Sequence, residues 1–576
     1  MLRDFLRSGM DMKQRKALSL TPLETYFKHI DKIKKSEDII PTIAKLEKLG
    51  MGGIWGLMVD QDMKDSERYV LYLGQAGLGM PDRDYYLKDD TESKRVRDAY
   101  LEHVEKIIRV GTFSSDPKGD TQKVLSIETK LAEISMTKED LRDVDKTYFK
   151  YTLPKLSKLV PQVDWQGYFK SIGADVRDVI VMQPGFLKGV GGYLVSVSLE
   201  DWKTYLKMHV VNDFASFLTP ELEKENFAFY GKVMTGTASM KPLWRRVLGV
   251  VNGSLGELLG QLYVARHFSP HAKAMMLEMT DDLFMAYEAR IKSLDWMTPA
   301  TKKKAIKKLR QMTRKIGYPD VWKDYRGISI DPSDYFGNAL RCGIWNTKRE
   351  LRKLTKKKVD RKEWFMYPQT VNAYCSFGLN DVVFPAGILQ PPFFSPTADD
   401  AINYGSIGSV IGHEITHGFD DQGSKFDGVG NRKTWWTPKD RAQFEKKAKR
   451  LIEQFNEYKV ADGLSVNGQL TLGENIADLG GISIAYDAYQ LKLARTGRKD
   501  VDGFTPEQRF FLGASLFERE LSRPEFEKMQ VLTDPHSPSI FRVNGPLSNI
   551  PEFYEAFGVA KGDKLYREPK DRAKIW

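Results

Sequence analysis

The chain has 576 residues, 41% hydrophobic and 11% aromatic, too many for one small core and enough for two or more packed domains. Its net charge of +11 is modest for this length and is spread widely, with local lysine clusters at Thr301–Lys308 (TKKKAIKK) and Lys353–Lys362 (KLTKKKVDRK), runs that read as solvated helix faces in preference to a nucleic-acid surface. Two cysteines, Cys342 and Cys375, exclude a disulfide framework though not a single bridge, and no apolar stretch is seen that approaches the roughly 18 residues of a membrane span.

The N-terminus, MLRDFLRSGMDMKQRK, is charged throughout and has no apolar signal-peptide core. In the first half, apolar residues recur at three- and four-residue spacing in Lys94–Val110, Thr121–Glu133 and Ala272–Leu294, which predicts amphipathic helices. Breaks such as Gly77-Leu78-Gly79-Met80-Pro81 and Gly191-Gly192 punctuate them, and no repeat or low-complexity tract is present. The character changes after about residue 320. Tyr367–Pro385 reads as two extended pieces around Gly378-Leu379-Asn380. Phe384–Phe394 (FPAGILQPPFF) is apolar but broken by prolines, so it is no regular helix and its side chains are expected to line something.

Ala401–Phe419 predicts one helix, ended with the help of Gly418, and it carries His413-Glu414-Ile415-Thr416-His417. Helical projection places Tyr404, Ile407, Ile411 and Ile415 toward a core and Val410 beside His413 and His417. This H-E-x-x-H pattern puts two imidazoles one turn apart on one face, where they can grip Zn²⁺ with a glutamate between them. With 8 histidines in the chain, a chance match has odds of roughly 1%. A third protein ligand is then required. Asp420 and Gly423 stand where a longer H-x-x-G-x-x-H pattern needs Gly and His, and no glutamate occurs between Glu414 and Glu445. The best candidate is Glu474 in Gly473-Glu474-Asn475-Ile476-Ala477-Asp478. Asp478, four residues on, faces the same way and can hold the free nitrogen of a ligand histidine; Asp420 and Asp421 are further candidates for that task. The alternative for Glu474 and Asp478 is a solvated helix face.

These motifs carry a family resemblance. HEITHGFDDQG, GENIADLGG, Asp534-Pro535-His536-Ser537-Pro538 and Phe541-Arg542-Val543-Asn544-Gly545 resemble the neprilysin family of zinc metallopeptidases. So do Asn372-Ala373-Tyr374 followed by VFPAGILQPPFF and, in the first half, GLGMPDRDYYL, Trp244-Arg245-Arg246 and Trp296–Pro319. The resemblance implies that His413, His417 and Glu474 bind one Zn²⁺ and that Glu414 is the general base. It implies that Asp478 is the partner of a zinc histidine, that His536 donates to the oxyanion and that Arg542 grips a substrate carbonyl. Asn372 and Ala373 would pair with the substrate main chain, and Ile388, Phe393 and Val410 would wall the hydrophobic subsite just after the scissile bond.

The implied fold is mainly α with a small β-sheet: a two-lobed zincin, with a thermolysin-like catalytic lobe in 321–576 capped by a helical lobe in 1–320 enclosing a central cavity. The implied activity is endopeptidase cleavage of oligopeptides on the amino side of hydrophobic residues, with no nucleic-acid partner. A dipeptide-trimming exopeptidase, with Arg542 holding a terminal carboxylate, and a non-catalytic peptide-binding protein are the alternatives.

The sequence departs from the family pattern at its start, where Leu2–Met12 resembles a point well inside the family's extracellular region. The expected location is extracytoplasmic, in the periplasm or at the cell surface, if an upstream signal or anchor is missing, and cytoplasmic otherwise. Phe517-Glu518 replaces the family's apolar residue and Trp near the substrate pocket. Ala573 stands where animal members have a cysteine, which places the chain nearer the disulfide-poor bacterial or archaeal branch.

Overall fold

The computed structural model describes residues Met1–Trp576, which gather into two compact units. Unit 1 holds Met1–Asp62, Glu67–Gly256 and Asp324–Val359; unit 2 holds Met63–Ser66, Glu257–Lys323 and Asp360–Trp576. The chain therefore does not change units once near residue 320. Glu257–Lys323 belongs with unit 2 because its helices and strand bury apolar residues in the same cluster as the HEITH segment.

In unit 1 the periodic runs of the first half form α1 (Thr91–Gly111) and α2 (Pro117–Ile134), followed later by α3 (Leu199–Phe214). Each starts on a side-chain cap: Asp90 accepts from the Ser93 amide, Asp116 from Gly119 and Ser198 from Asp201. A four-stranded sheet contains β1 (Trp55–Asp62), β2 (Asp65–Gln75), β3 (Phe149–Thr152) and β4 (Asp178–Val181) in the order β1-β2-β4-β3. β4 runs parallel to β2 and antiparallel to β3. The fully buried Glu128 on α2 accepts from Tyr86 Oη at 2.8 Å and Tyr100 Oη at 2.9 Å, with His209 Nε2 at 2.8 Å. Tyr86 Oη in turn accepts from the amides of Gly79 and Met80, so the GLGMPDRDYYL segment is wound onto one satisfied buried carboxylate.

Helix α4 (Leu243–His267) is broken at Leu255 (φ −125°, ψ 34°), next to the boundary between the units. By length and composition it is apolar enough to cross a membrane, with a mean hydropathy of 1.2 in its best window. A third of that window is buried, and a packed core helix has the same length and composition.

Unit 2 contains α5 (Pro270–Ser293), α6 (Pro299–Gln311) and a three-stranded sheet of β5 (Thr313–Gly317), β6 (Tyr374–Ser376) and β7 (Asp381–Pro385). The order is β5-β7-β6, with β7 central and buried along its length, parallel to β5 and antiparallel to β6. The two extended pieces expected over Tyr367–Pro385 are thus shorter than their span. Asn372 and Ala373 lie just before β6, and Asn380 takes the positive φ of 50° that reverses the chain.

The single helix expected over Ala401–Phe419 is two, α7 (Asp400–Gly405) and α8 (Ile407–His417). The break is at Ser406 (φ −87°, ψ −82°), where the Ser406 hydroxyl and the Ile407 amide both donate to the carbonyl of Phe393. The proline-broken segment thereby docks against the start of α8. Tyr404, Ile407, Ile411 and Ile415 are all buried, as projection predicts.

Further along the unit come α9 (Leu472–Thr496), α10 (Pro506–Leu516), α11 (Pro524–Thr533) and α12 (Ser539–Leu547). Helices α8 and α9 meet through glycines. A Cβ on Gly412 would lie 2.6 Å from Gly481 O, and one on Gly481 would lie 2.6 Å from the His413 amide nitrogen. Only hydrogen fits at either position. Gly481→Ala is therefore expected to cost about 1–3 kcal/mol by overpacking and to weaken metal binding by displacing His413. Chemical denaturation and a zinc titration read both effects; parent-like stability and affinity would show that the crossing has slack.

Candidate active site

Helix α8 projects His413 and His417 from successive turns, and Glu474 reaches them from the first turn of α9. The Nε2 atoms of the two histidines lie 2.9 Å apart, and Glu474 Oε2 is 3.3 Å from each. His413, His417 and Glu474 are the one group whose spacing fits a metal ion. Donors about 2.0–2.1 Å from a tetrahedral zinc ion lie about 3.3 Å from one another, so the triangle fits zinc closely, with one short edge.

The proton arrangement points the same way. His413 Nδ1 is 2.8 Å from Asp478 Oδ1, and His417 Nδ1 is 2.8 Å from Asp420 Oδ2. A carboxylate only accepts, so each Nδ1 carries a hydrogen and each neutral ring turns the lone pair of Nε2 toward the other ligands. Glu474 Oε2 is buried with no hydrogen bond of good geometry to satisfy it. Three lone-pair donors facing one point require a cation there.

The surrounding carboxylates favour positive charge at this point, carried by ring protons or by a cation in their place. Burial disfavours charge on His417, but Glu474 and Asp420 outweigh it and hold the ring well above its usual range. His413 is raised as well, with Asp478 and Glu474 overcoming burial and the repulsion of His417. Glu474 is held well below the carboxylate range, despite its burial, by His417, His413 and His536. Asp478 is likewise brought down to about 2, the Arg542 guanidinium and His413 overcoming burial.

Glu414, one residue past His413, is buried, and that burial pushes its carboxyl up against the opposing pull of His413 and His417. His536 sits on the loop before α12 with Nε2 3.2 Å from Glu474 Oε2. Its Nδ1 is 2.7 Å from Asp534 Oδ1, which also accepts the His536 amide. Burial opposes a charge on this ring, but Asp534 and Glu474 raise it to about 10. Ser537 Oγ donates to Asn475 Oδ1 at 3.0 Å, which ties the loop to the turn that carries Glu474.

The structure ties Arg542 to the cluster through two carboxylates. Its Nε and Nη2 donate to Asp478 at 2.9 and 2.8 Å, and its Nη1 lies 2.8 Å from Glu518 Oε1. Asn372 is exposed and Ala373 buried; both precede the edge strand β6, which packs beside α8. Ile388, Phe393 and Val410 belong to one apolar cluster that also contains the buried face of α8. Of the two aspartates after the motif, Asp420 holds His417, whereas Asp421 accepts from Gln422 Nε2.

Sequence reading missed Asp534, Asn475 and Lys308. The first two sit beside residues already singled out. Lys308 falls within a basic run read as a solvated face, yet it is buried and corrects that reading. Its ammonium donates to the carbonyls of Gly418 at 2.5 Å, Gly423 at 2.7 Å and Phe426 at 2.8 Å. It therefore clamps the loop that leaves α8 and carries Asp420. Thr301, Ala305, Lys308 and Leu309 are the buried stripe of α6, a spacing visible in the sequence. Burial lowers the Lys308 ammonium to about 8, still charged at neutral pH.

Two consequences are measurable. Asp420→Asn is expected to weaken metal binding about 10- to 100-fold, read by competition with a chromophoric chelator. Lys308→Met leaves three buried carbonyls without a donor and is expected to cost about 1–3 kcal/mol, together with zinc affinity. Unfolding at the parent's midpoint would contradict the clamp.

The comparisons with known proteins follow this geometry. Residues 1–319 match the N-terminal part of Peptidase family M13, and residues 372–573 match Peptidase family M13 itself. Neprilysin-3 of Drosophila melanogaster is 34% identical over 556 residues, covering 92% of this chain and 70% of its own length. Endothelin-converting enzyme 1 of Rattus norvegicus is 34% identical over 543 residues, covering 91% of this chain and 70% of its own. Among solved structures, the zinc metalloprotease ZMP1 of Mycobacterium tuberculosis in complex with an inhibitor superposes with a TM-score of 0.96 at 40% identity, covering 100% of this chain and 88% of that one. The chain belongs to Peptidase family M13, and it is a zinc metallopeptidase, a peptide-bond hydrolase.

Proposed function

We propose that the protein is an endopeptidase that binds one zinc ion through His413, His417 and Glu474 and cleaves oligopeptides on the amino side of hydrophobic residues. The observation that carries this reading is the convergence of His413 Nε2, His417 Nε2 and Glu474 Oε2 within 2.9–3.3 Å, with Glu414 on the same helix. Zinc held there supplies a Lewis acid that brings the pKa of a water to about 7 and polarises the peptide carbonyl.

The remaining work falls to the chain's own side chains. Glu414 accepts the proton of the attacking water and delivers it to the departing amine nitrogen. Its burial, which raises its proton affinity, suits both halves of that transfer. His536 presents a hydrogen on each ring nitrogen, because both face carboxylates. With Nδ1 fixed by Asp534, Nε2–H is the donor for the oxygen on which negative charge develops. Asn372 and Ala373 extend the line of the edge strand β6, so a substrate main chain can pair there without readout of its side chains. Ile388, Phe393 and Val410 supply apolar surface for the residue after the cut. Asp478 acts through His413 and Arg542, orienting both.

The test combines metal, activity and product. The parent is expected to hold one zinc per chain, to cleave a blocked peptide before a hydrophobic residue, and to lose activity to a chelator and regain it with zinc. Glu414→Gln is expected to keep the zinc while turnover falls by about 10²- to 10⁴-fold. Equal turnover by the two proteins would remove Glu414 from its role, and cleavage indifferent to the residue after the cut would remove the apolar subsite.

A further inference from the structure

The guanidinium of Arg542 has five N–H bonds. One from Nε and one from Nη2 go to Asp478, and one from Nη1 faces Glu518 at 2.8 Å. One hydrogen on each terminal nitrogen is left over. The side chains of Arg542 and Glu518 are 15% and 10% exposed, so the pair is largely withdrawn from water, where its charges are screened less than at a surface. Asp478 and Glu518 bring two negative charges to one positive one. Glu520, two residues along the same loop, accepts from Ser539 Oγ at 2.8 Å and adds a further acid beside the start of α12. Arg519 and Arg523 of that loop are exposed to solvent.

We propose that Glu518 is a specificity-determining residue: it neutralises Arg542 and bars anionic groups, above all the free carboxylate of a substrate's C-terminus, from the position beside that guanidinium. The proposal rests on the reading that Arg542 borders the bound peptide, and it decides between the two enzymatic readings of the sequence. An exopeptidase that trims dipeptides needs an uncommitted cation for the terminal carboxylate. Here the cation is already shared by two carboxylates, and a third would meet net negative charge. The two remaining hydrogens still serve a neutral acceptor such as a backbone carbonyl. Arg542 is thus kept as a hydrogen-bond donor while its charge is cancelled. Glu518 follows α10 by two residues and reaches Arg542 in the first turn of α12, so the contact depends on how these two helices pack.

The test uses the zinc-loaded protein and two N-acetylated peptides of one sequence, each ending two residues after the cleaved bond, one as the amide and one as the free acid. The parent is expected to cleave the amide at least about tenfold better in kcat/KM, with the difference in KM. In Glu518→Gln, an isosteric change, the amide-to-acid ratio is expected to fall toward one through a lower KM for the acid. A merely structural loss would depress both peptides alike and leave the ratio in place. A parent that cleaves the acid as well as the amide overturns the proposal without any variant, and so does an unchanged ratio in Glu518→Gln. If the zinc-loaded parent cleaves neither peptide, the peptidase reading fails instead, and the role of Glu518 is read from the relative binding of the two peptides to parent and variant.

Discussion

The close approach of α8 and α9 at Gly412 and Gly481 is the constraint on which the site depends. Without it, a carboxylate 57 residues beyond His417 has no reason to lie 3.3 Å from two imidazoles. The crossing also sets Asp478 against His413 one turn further along α9. The other parts are hung on this pair of helices. Asn475, next to Glu474, holds the loop of His536 through Ser537, and Asp478 holds Arg542 of α12. An added methyl group at the crossing would be felt at the metal, at its proton-holding partners and at the substrate side together, because all are referenced to the same backbone contact.

What could be read from the sequence was what is local in the chain. The two histidines, the intervening glutamate and the Glu474/Asp478 pair are all four-residue patterns on single helices, and the structure brings them together. Asp420 is three residues from its histidine. The buried face of α8 follows from periodicity alone. Features that escaped depend on partners distant in sequence. Ser406 breaks a helix because the Phe393 carbonyl, thirteen residues earlier, competes for its hydrogen bonds. Lys308 is buried because three carbonyls from residues 418–426 converge on it. The period of α6 places Lys308 on the buried stripe, but it does not name the carbonyls that meet it. The residues at which the chain passes between units are hidden for the same reason: the burial of α5 with α8 and the pairing of β5 with β7 are long-range events.

Two buried cations near the site solve different problems. Lys308 donates to three carbonyl oxygens, so it works as a three-armed donor that closes the loop after α8, a task suited to a compact ammonium. Arg542 meets Asp478 as a fork, two parallel N–H bonds to one carboxylate, a geometry that a lysine cannot supply. Exchanging the two residue types would keep the charge and lose the function of each.

Asp478 couples the metal to the substrate side. Its Oδ1 receives both His413 Nδ1 and Arg542 Nη2, each at 2.8 Å. A carboxylate shared in this way polarises the histidine less than one that serves it alone, since part of its charge answers the guanidinium. Glu518 changes that division. By engaging Arg542 from the other side, it takes up part of the cation's field and leaves more of Asp478 for His413. Glu474, Asp478 and Asp420 are all buried around the two histidines, so metal affinity and folding stability draw on one set of charges.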